Sequence, residues 1–393
     1  MSFRDARACV LETVACANPP LERVSLQAAA ERVLARDATA DRDYPPLPRS
    51  ARDGFALRAD GFSGTAEVIG EVRAGAVFGG VVGAGQAVEI MTGAPVPEGA
   101  DAVVMVEHVE RDGSTIRTAR TVAAGEAVNP RGGEAREGEV VLEGGRRLRF
   151  PEVALLASIG AAEVSVFAKP RAAIVSTGDE VVPVEASPEA HQIRNSNAWS
   201  LAAQVARAGG VPVVLPVARD AMEDTRGRVQ EGLDSADLLL LSGGVSAGKY
   251  DVVERVLAEM GAEFFFDRVL IQPGQPLVFG RVRGRFFFGL PGNPASTMVT
   301  FELFARAALE RLGGQREVLL PLLQTTLAAP FRHRPGLTRF LPARLSGDGA
   351  SLTPLRWAGS GDMVSMSRAN AWLVADADRP EYAAGDTIGV LVP

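Results

Sequence analysis

The stretch DLLLLSGGVSAGKYDVV, residues 237–253, sets an apolar run against a glycine-rich turn holding Gly243, Gly244, Ser246, Lys249 and Asp251. Its G-V-S-A-G spacing is that of a hydrolase nucleophile elbow, which presents a serine between a strand and a helix. The same turn also suits an anion, because glycines let backbone N–H groups approach a phosphate closely, with a lysine and an aspartate beside it for phosphate and metal. Three further strand ends carry comparable residues: Gly178, Asp179 and Glu180 after IVST, Asp220 after LPVAR, and the run from Gly289 through Pro291, Gly292 and Asn293 to Pro294 after RFFF. The last leads straight into a helix, whose N-terminus favours negative charge. Carboxylates beside phosphate repel it unless a hard cation such as Mg2+ lies between them, so the set implies a metal. Taken singly, Asp179, Asp220 or Asp251 reads as a helix cap or turn former and Lys249 as a solvated surface lysine. Four such ends together point to a site.

These ends need a frame. From Arg171 the chain alternates apolar strands with helices: RAAIVS, a helix over SNAWSLAAQVARAGG capped by Ser196 and stopped by Gly209, VPVVLPV, a helix over EDTRGRVQEGLDS, DLLLLS, and a helix over DVVERVLAEMG. LVFGRVRGRFFFGL adds a hairpin and NPASTMVTFELFARAALERLGG a closing helix. This rhythm predicts a parallel sheet wrapped on both faces, and in such sheets ligands bind beyond the carboxyl ends of the strands. Upstream, residues 4–40 read as two helices separated by Pro19 and Pro20, with Leu26, Ala29, Ala30, Val33 and Leu34 on one face of the second. Residues 66–147 favour short strands with glycine at the corners, FPEVALLASIG returns to helix with Gly160 as its stop, and residues 315–393 read as a small β domain.

The serine-hydrolase reading requires a histidine to take the proton of Ser246. Only His333 follows it, within the C-terminal β segment; no H-G-G-G motif precedes it, and His108 and His191 read as surface residues. The hydrolase is therefore the remote alternative.

At 393 residues the chain exceeds one ordinary core, and its 47% apolar residues suffice for several. A formal net charge of −7 argues against a broad nucleic-acid surface. Cys9 and Cys16 read as reduced spectators, the N-terminus lacks the pattern of a signal peptide, and no apolar run reaches the length of a membrane span. The expectation is a cytoplasmic protein with no nucleic-acid and no membrane partner.

Jointly the motifs resemble the molybdenum insertases of molybdenum cofactor biosynthesis, the family of bacterial molybdopterin molybdenumtransferase and the gephyrin E domain. The resemblance rests on SARDGFALRAD (50–60), IMTGAPVPEGADAVVMVE (90–107), PRGGEAREGEVV (130–141), STGDEVV (176–182), LSGGVSAGKYD (241–251) and FFFGLPGNPAS (286–296), in shared order and spacing. It implies an α/β multidomain fold in an elongated four-domain chain. A helical, dimerising domain (1–44 and 146–170) is interrupted by a β domain (45–145), followed by a molybdopterin-binding α/β domain (171–314) and a barrel-like β domain (315–393). It implies a homodimer that inserts molybdate into adenylyl-molybdopterin with release of AMP in a Mg2+- or Zn2+-dependent step. The implied partners are the molybdopterin adenylyltransferase and the molybdoenzymes that accept the cofactor.

By matching position, Asp53 and Thr92 come from the partner subunit, with Asp53 and Glu134 as acids of the reaction. Glu180, Asp220 and Asp251 serve metal or catalysis, with Asp179 and Gly178 beside them. Gly243, Gly244, Ser246 and Lys249 hold pterin or phosphate, Pro291, Gly292, Asn293 and Pro294 shape the terminal pocket, and Ser360 faces the same cleft. Three positions depart from the family more seriously than Glu134, which replaces an aspartate: Gln272 and Gln275 stand where two lysines are usual, and Pro342 where an arginine is common. Glutamine donates hydrogen bonds but brings no charge. Arg268 and Lys249 are the expected compensating cations. The departures favour an alternative in which the chain is a weakened paralogue serving as a molybdopterin-binding scaffold or carrier.

Overall fold

The computed structural model describes residues 1–14, 19–244 and 252–393. They form two compact units: residues 1–35 with 145–149 and 164–393, and residues 36–144 with 150–163.

The first unit is built on a six-stranded sheet in the order Val211–Val214, Arg171–Ser176, Leu238–Ser242, Arg285–Leu290, Pro276–Val282, Glu263–Arg268. The first four strands are parallel, and the last two close it as antiparallel hairpin partners. Because side chains alternate across a strand, an apolar run buried on both faces splits into two cores. Ala172, Ile174, Leu238 and Leu240 pack on one face with Leu201 and Val205 of the helix Ser196–Arg207 and with Val299 and Leu303 of the closing helix. Ala173, Val175, Leu239 and Leu241 pack on the other with Val229 of Met222–Ser235 and Val256 of Val252–Glu259. The next two strands of this sheet in chain order, Val211–Val214 and Leu238–Ser242, lie on either side of Arg171–Ser176. The crevice where ligands bind in such sheets therefore opens between the ends of Arg171–Ser176 and Leu238–Ser242.

In the C-terminal region the strands Thr338–Leu345, Ser351–Pro354, Leu322–Leu327, Thr387–Leu391 and Ala371–Ala375 close on themselves into a five-stranded barrel. The short strand Ile271–Gln272 is hydrogen-bonded in parallel to the barrel strand Thr338–Leu345, with Gln272 opposite Arg339.

At the N-terminus the helix Phe3–Thr13 forms, with the Ser2 side chain accepting from the Asp5 N–H. The expected second helix does not. Leu21–Ser25 is a strand, Leu26–Ala28 a single 3-10 turn, and Val33 and Leu34 bridge to Arg147 and Val166. Glu31 adopts a φ of 61°, outside the helical range, and its N–H donates to Leu148 O, so long-range pairing overrides the helical spacing of the apolar residues.

The second unit centres on a curled six-stranded sheet in the order Ala102–Met105, Gly54–Leu57, Gln86–Ile90, Thr65–Val72, Thr115–Arg117, Glu110–Asp112. Phe55, Leu57, Ala87 and Val104 fill one side, and Ala56, Val88, Ile90 and Val103 the other.

Candidate functional site

The crevice of the first unit is a cleft of about 790 Å³. Its walls bring together residues from every motif of the α/β segment. Gly178, Glu180, Asp220, Gly243, Gly244, Gln272, Gln275, Pro291, Gly292, Asn293, Pro294 and Ser360 all line it.

The floor is fixed by hydrogen bonds between strand ends. Thr177 N–H donates to Ser242 O (3.0 Å), and Gly243 N–H to Leu290 O (3.1 Å). Asn197 Nδ2 donates to Ser242 Oγ (2.8 Å) and Gly292 O (2.7 Å), tying the first turn of its helix to two loops. That helix begins one residue earlier than the serine cap expected: Asn195 is the N-cap, its Oδ1 accepting from Ala198 N–H (3.1 Å) and from the buried Ser176 hydroxyl (2.9 Å). The IRNSN stretch thus carried more of the site than the sequence reading credited. Asparagine at the cap is among the strongest helix-start signals, and Arg194, Asn195 and Asn197 all line the cleft.

Gly243 has a φ of +95°, and a Cβ there would lie 2.8 Å from Thr177 O and 2.9 Å from Thr177 Oγ1, so the loop requires glycine both for its conformation and for close approach. Within the cleft, Thr177 Oγ1, Asn197 Oδ1 and Trp357 Nε1 are buried without a hydrogen-bond partner among the described residues. Buried polar atoms are normally satisfied, so this concentration marks a place where a ligand completes the bonding.

The acidic end lies at the first two strands of the sheet. Asp179 N–H donates to Asp220 Oδ2 (3.4 Å), and Asp220 N–H to Asp179 Oδ1 (3.3 Å), so these two loops are reciprocally joined. Glu180 and Asp220 are exposed and line the cleft. Arg194 is the one cationic residue among the described lining residues. Ser246, Lys249 and Asp251 lie outside the described residues.

At the far side, Ala295 N–H of the closing helix is already taken by Ser360 O (2.9 Å), so this helix start offers an anion less than its sequence suggested, while Ser360 itself is brought to the cleft. Arg268 lies exposed on the outermost strand and is not among the lining residues; its carbonyl accepts from the Met1 amino group (3.3 Å). Pro342 is buried in the barrel strand.

In the second unit, two residues from separate motifs meet. Asp53 Oδ1 accepts from Thr92 N–H (2.6 Å) and Thr92 Oγ1 (2.8 Å) on an exposed surface. The backbone N–H of Thr92, followed by its hydroxyl, holds the Asp53 carboxyl below the usual aspartate range. Glu134 is exposed in the same unit, its N–H donating to Tyr44 O (2.8 Å).

The histidine required by a Ser246 hydrolase is engaged elsewhere. The two ring nitrogens of His333 face the carbonyls of Arg334 (3.0 Å) and Arg379 (2.8 Å), its ring stacks with Phe331 and Tyr382, and no histidine lines the cleft among the described residues.

Comparison with known proteins accounts for nearly the whole chain. Residues 1–160 match the MoeA N-terminal region (domain I and II), residues 173–311 a probable molybdopterin binding domain, and residues 324–392 the MoeA C-terminal region (domain IV). The crystal structure of a molybdopterin biosynthesis moeA protein from Pyrococcus horikoshii OT3 superposes with a TM-score of 0.81 at 29% identity, covering 100% of both chains. The molybdopterin molybdenumtransferase of Bacillus subtilis (strain 168) is 34% identical over 94% of this chain and 89% of its own length. That of Staphylococcus aureus (strain COL) is 32% identical over 95% of this chain and 91% of its own. With that agreement in sequence, domain order and fold, the chain belongs to the molybdopterin molybdenumtransferase family, enzymes of molybdenum cofactor biosynthesis.

Proposed function

We propose that the cleft holds adenylyl-molybdopterin and that the enzyme inserts molybdate into it, releasing AMP. The observation that carries this reading is the cleft itself: a crevice at the switch point of a molybdopterin-binding fold, with carboxylates at one end and partnerless buried polar atoms along its wall.

The donor set bears on the metal. No group of three or more His, Cys, Asp and Glu side chains able to hold an ion is present among the described residues. Glu180 and Asp220 supply two hard oxygen donors, and no histidine or cysteine lines the cleft among the described residues. Oxygen-only ligation at partial occupancy of the shell fits Mg2+, which retains waters and takes phosphate oxygens, and disfavours Zn2+, which prefers nitrogen and sulfur. On this reading Glu180 and Asp220, with Asp251, hold Mg2+. When bound, the ion neutralises phosphate charge that two carboxylates would otherwise repel. The protein's own residues do the rest: Asn197 and Gly243 set the loop geometry, Thr177 and Ser360 offer hydroxyls to the ligand, and the glycines admit it to the backbone.

We further propose a homodimer in which Asp53 of the partner subunit, kept ionised by Thr92 of the partner subunit, acts as an acid of the reaction together with Glu134 of the partner subunit. The exposed, strongly hydrogen-bonded Asp53 carboxylate supports this role. The adenylyltransferase that makes the substrate and the molybdoenzymes that accept the product are the partners this places on either side of the reaction. No helix among the described residues is long and apolar enough to cross a membrane, and we propose action in the cytoplasm.

A second reading is supported by Gln272 and Gln275, which face the cleft without charge: a molybdopterin-binding scaffold. AMP release from adenylyl-molybdopterin in the presence of molybdate and Mg2+ decides between them. The enzyme predicts molybdate-stimulated release, whereas a scaffold gives none above background.

A further inference from the structure

Two helices of the first unit begin at the cleft and are tied to each other there. Asn197, in the first turn of Ser196–Arg207, donates to Gly292 O (2.7 Å) in the loop that leads into the closing helix at Pro294. A second tie lies about 10 Å further along the helix axis. Gln204 Nε2 donates to Glu302 Oε1 (2.9 Å) and to Met298 O (3.1 Å), and Arg207 donates to the same carboxylate oxygen. Between the two ties the helices share the apolar core through Leu201, Val205 and Val299.

Glu302 is 2% exposed and lies in a π-turn, Phe301–Ala305, that interrupts the closing helix between Pro294–Thr300 and Arg306–Leu312. Such turns are rare and recur at functional sites. The same turn is held from the N-terminal helix, where Arg7 donates to Leu303 O (2.6 Å), and Arg306 faces the second oxygen of Glu302 (3.4 Å). Met298 O can only accept, so the Gln204 nitrogen must face it, and the Gln204 oxygen is left buried without a partner among the described residues. An unmet buried acceptor costs stability, so stability alone does not account for this tie. Apolar burial is non-directional and lets packed helices slide, whereas these bonds fix their register.

We propose that Gln204 and Glu302 are positioning residues whose buried tie fixes the register of the two helices, and with it the spacing of the cleft wall between Asn197 and the loop 291–294. The inference rests on the reading of the cleft as the adenylyl-molybdopterin site. Neither residue lines the cleft, so both act through the helix starts that do. Loss of the Glu302 charge strands no cation: Arg207 is half-exposed, and Arg306 keeps Glu310 (3.4 Å).

The test is equilibrium binding of adenylyl-molybdopterin to the full-length protein by calorimetry, with melting temperatures taken on the same variants. Gln204→Met keeps the volume and removes both the tie and the unmet acceptor, so it should melt no lower than wild type yet bind about 3-fold more weakly. Glu302→Gln should weaken binding about 10-fold. Glu310→Gln is the control. It also removes a buried carboxylate of the closing helix, but the arginines that face it, Arg306 and Arg147, lie outside Ser196–Arg207. It should lower the melting temperature and leave Kd within about 2-fold of wild type. If Glu302→Gln does not fold, Gln204→Met decides alone. An unchanged Kd in Gln204→Met, or an equal loss of affinity in Glu310→Gln, overturns the clamp; absence of binding by wild type overturns it together with the reading of the cleft. The enzymatic reading is judged separately by AMP release. Intact release with unchanged Kd values sinks only the clamp, and absent release with the expected pattern of Kd values sinks only the reaction.

Discussion

The cleft of the first unit and the Asp53–Thr92 pair of the second are built on opposite principles. In the cleft, polar atoms are buried and partnerless: Thr177 is 94% buried, and its hydroxyl finds no acceptor or donor among the described residues. At Asp53 the carboxylate is exposed to solvent, yet one of its oxygens already accepts two hydrogen bonds. The first arrangement is incomplete without a ligand; the second is complete without one and keeps its charge fixed. A pocket that must bind leaves bonds unmade, and a group that must stay ionised has them made in advance.

The strongest way to break this contrast is to remove one carboxylate from each region. Asp220→Ala and Asp53→Ala should each lower AMP release by about 100-fold or more, while melting temperatures stay close to wild type because both side chains are exposed. If the proposed homodimer holds, mixing the two inactive variants as subunits should restore part of the activity, since one of the two sites in such a mixed dimer then has both acids. Failure of that mixture to recover any turnover would remove Asp53 from the partner's cleft.

Backbone tests come next. Gly243→Ala must fit a Cβ against Thr177 at a φ of +95°, whereas Gly93, beside Thr92, has a φ of +80° and open space around its Cβ position. Both substitutions carry conformational strain, but only the first adds a clash. Gly243→Ala should therefore cost about 1–3 kcal/mol in urea unfolding and Gly93→Ala visibly less. Equal losses would mean that the cleft floor is no more constrained than the exposed loop.

A smaller effect concerns pH. Thr92 lowers the pKa of Asp53, so its ionised form persists to lower pH than that of an ordinary aspartate. Thr92→Ala removes the hydroxyl donor and leaves the backbone one. The acid limb of the pH–rate profile should move to higher pH, with the rate at neutrality close to wild type because an ordinary aspartate is still ionised there, and with recovery in Thr92→Ser. The smallest expected change lies at Asp362, the N-cap of Met363–Arg368 near Ser360. Hydrogen bonds from the Ser365 hydroxyl, Ser365 N–H and Ala358 N–H lower its pKa to about 2. A depressed carboxylate stabilises the fold above its unfolded pKa and loses that contribution as pH falls towards the folded value. Asp362→Ala should thus melt a few degrees below wild type at neutral pH, with the gap closing as the pH approaches about 2.

Much of this architecture was legible in the chain because it is written in local chemistry. Apolar runs such as AAIVS and DLLLLS bury both faces of a strand and need no context to be recognised, and glycine-rich breaks after them mark ligand-facing ends. The helix expected around Leu26–Leu34 failed for the converse reason: its apolar spacing is real, but Val33 and Leu34 are bridged to Arg147 and Val166, more than a hundred residues away.

The sequence by itself determined the alternation of strands and helices, the residue types at the strand ends and the uncharged side chains at positions 272 and 275. Those properties follow from the period of hydrophobic residues and from side-chain chemistry, which act over a few residues. Only the tertiary structure decided that acids and glutamines occupy opposite ends of one cleft, that Arg268 lies outside it, and that Asn197 and Trp357 belong to it. Strand order and barrel closure fix those distances, and both depend on contacts between segments far apart in the chain, which no local pattern encodes.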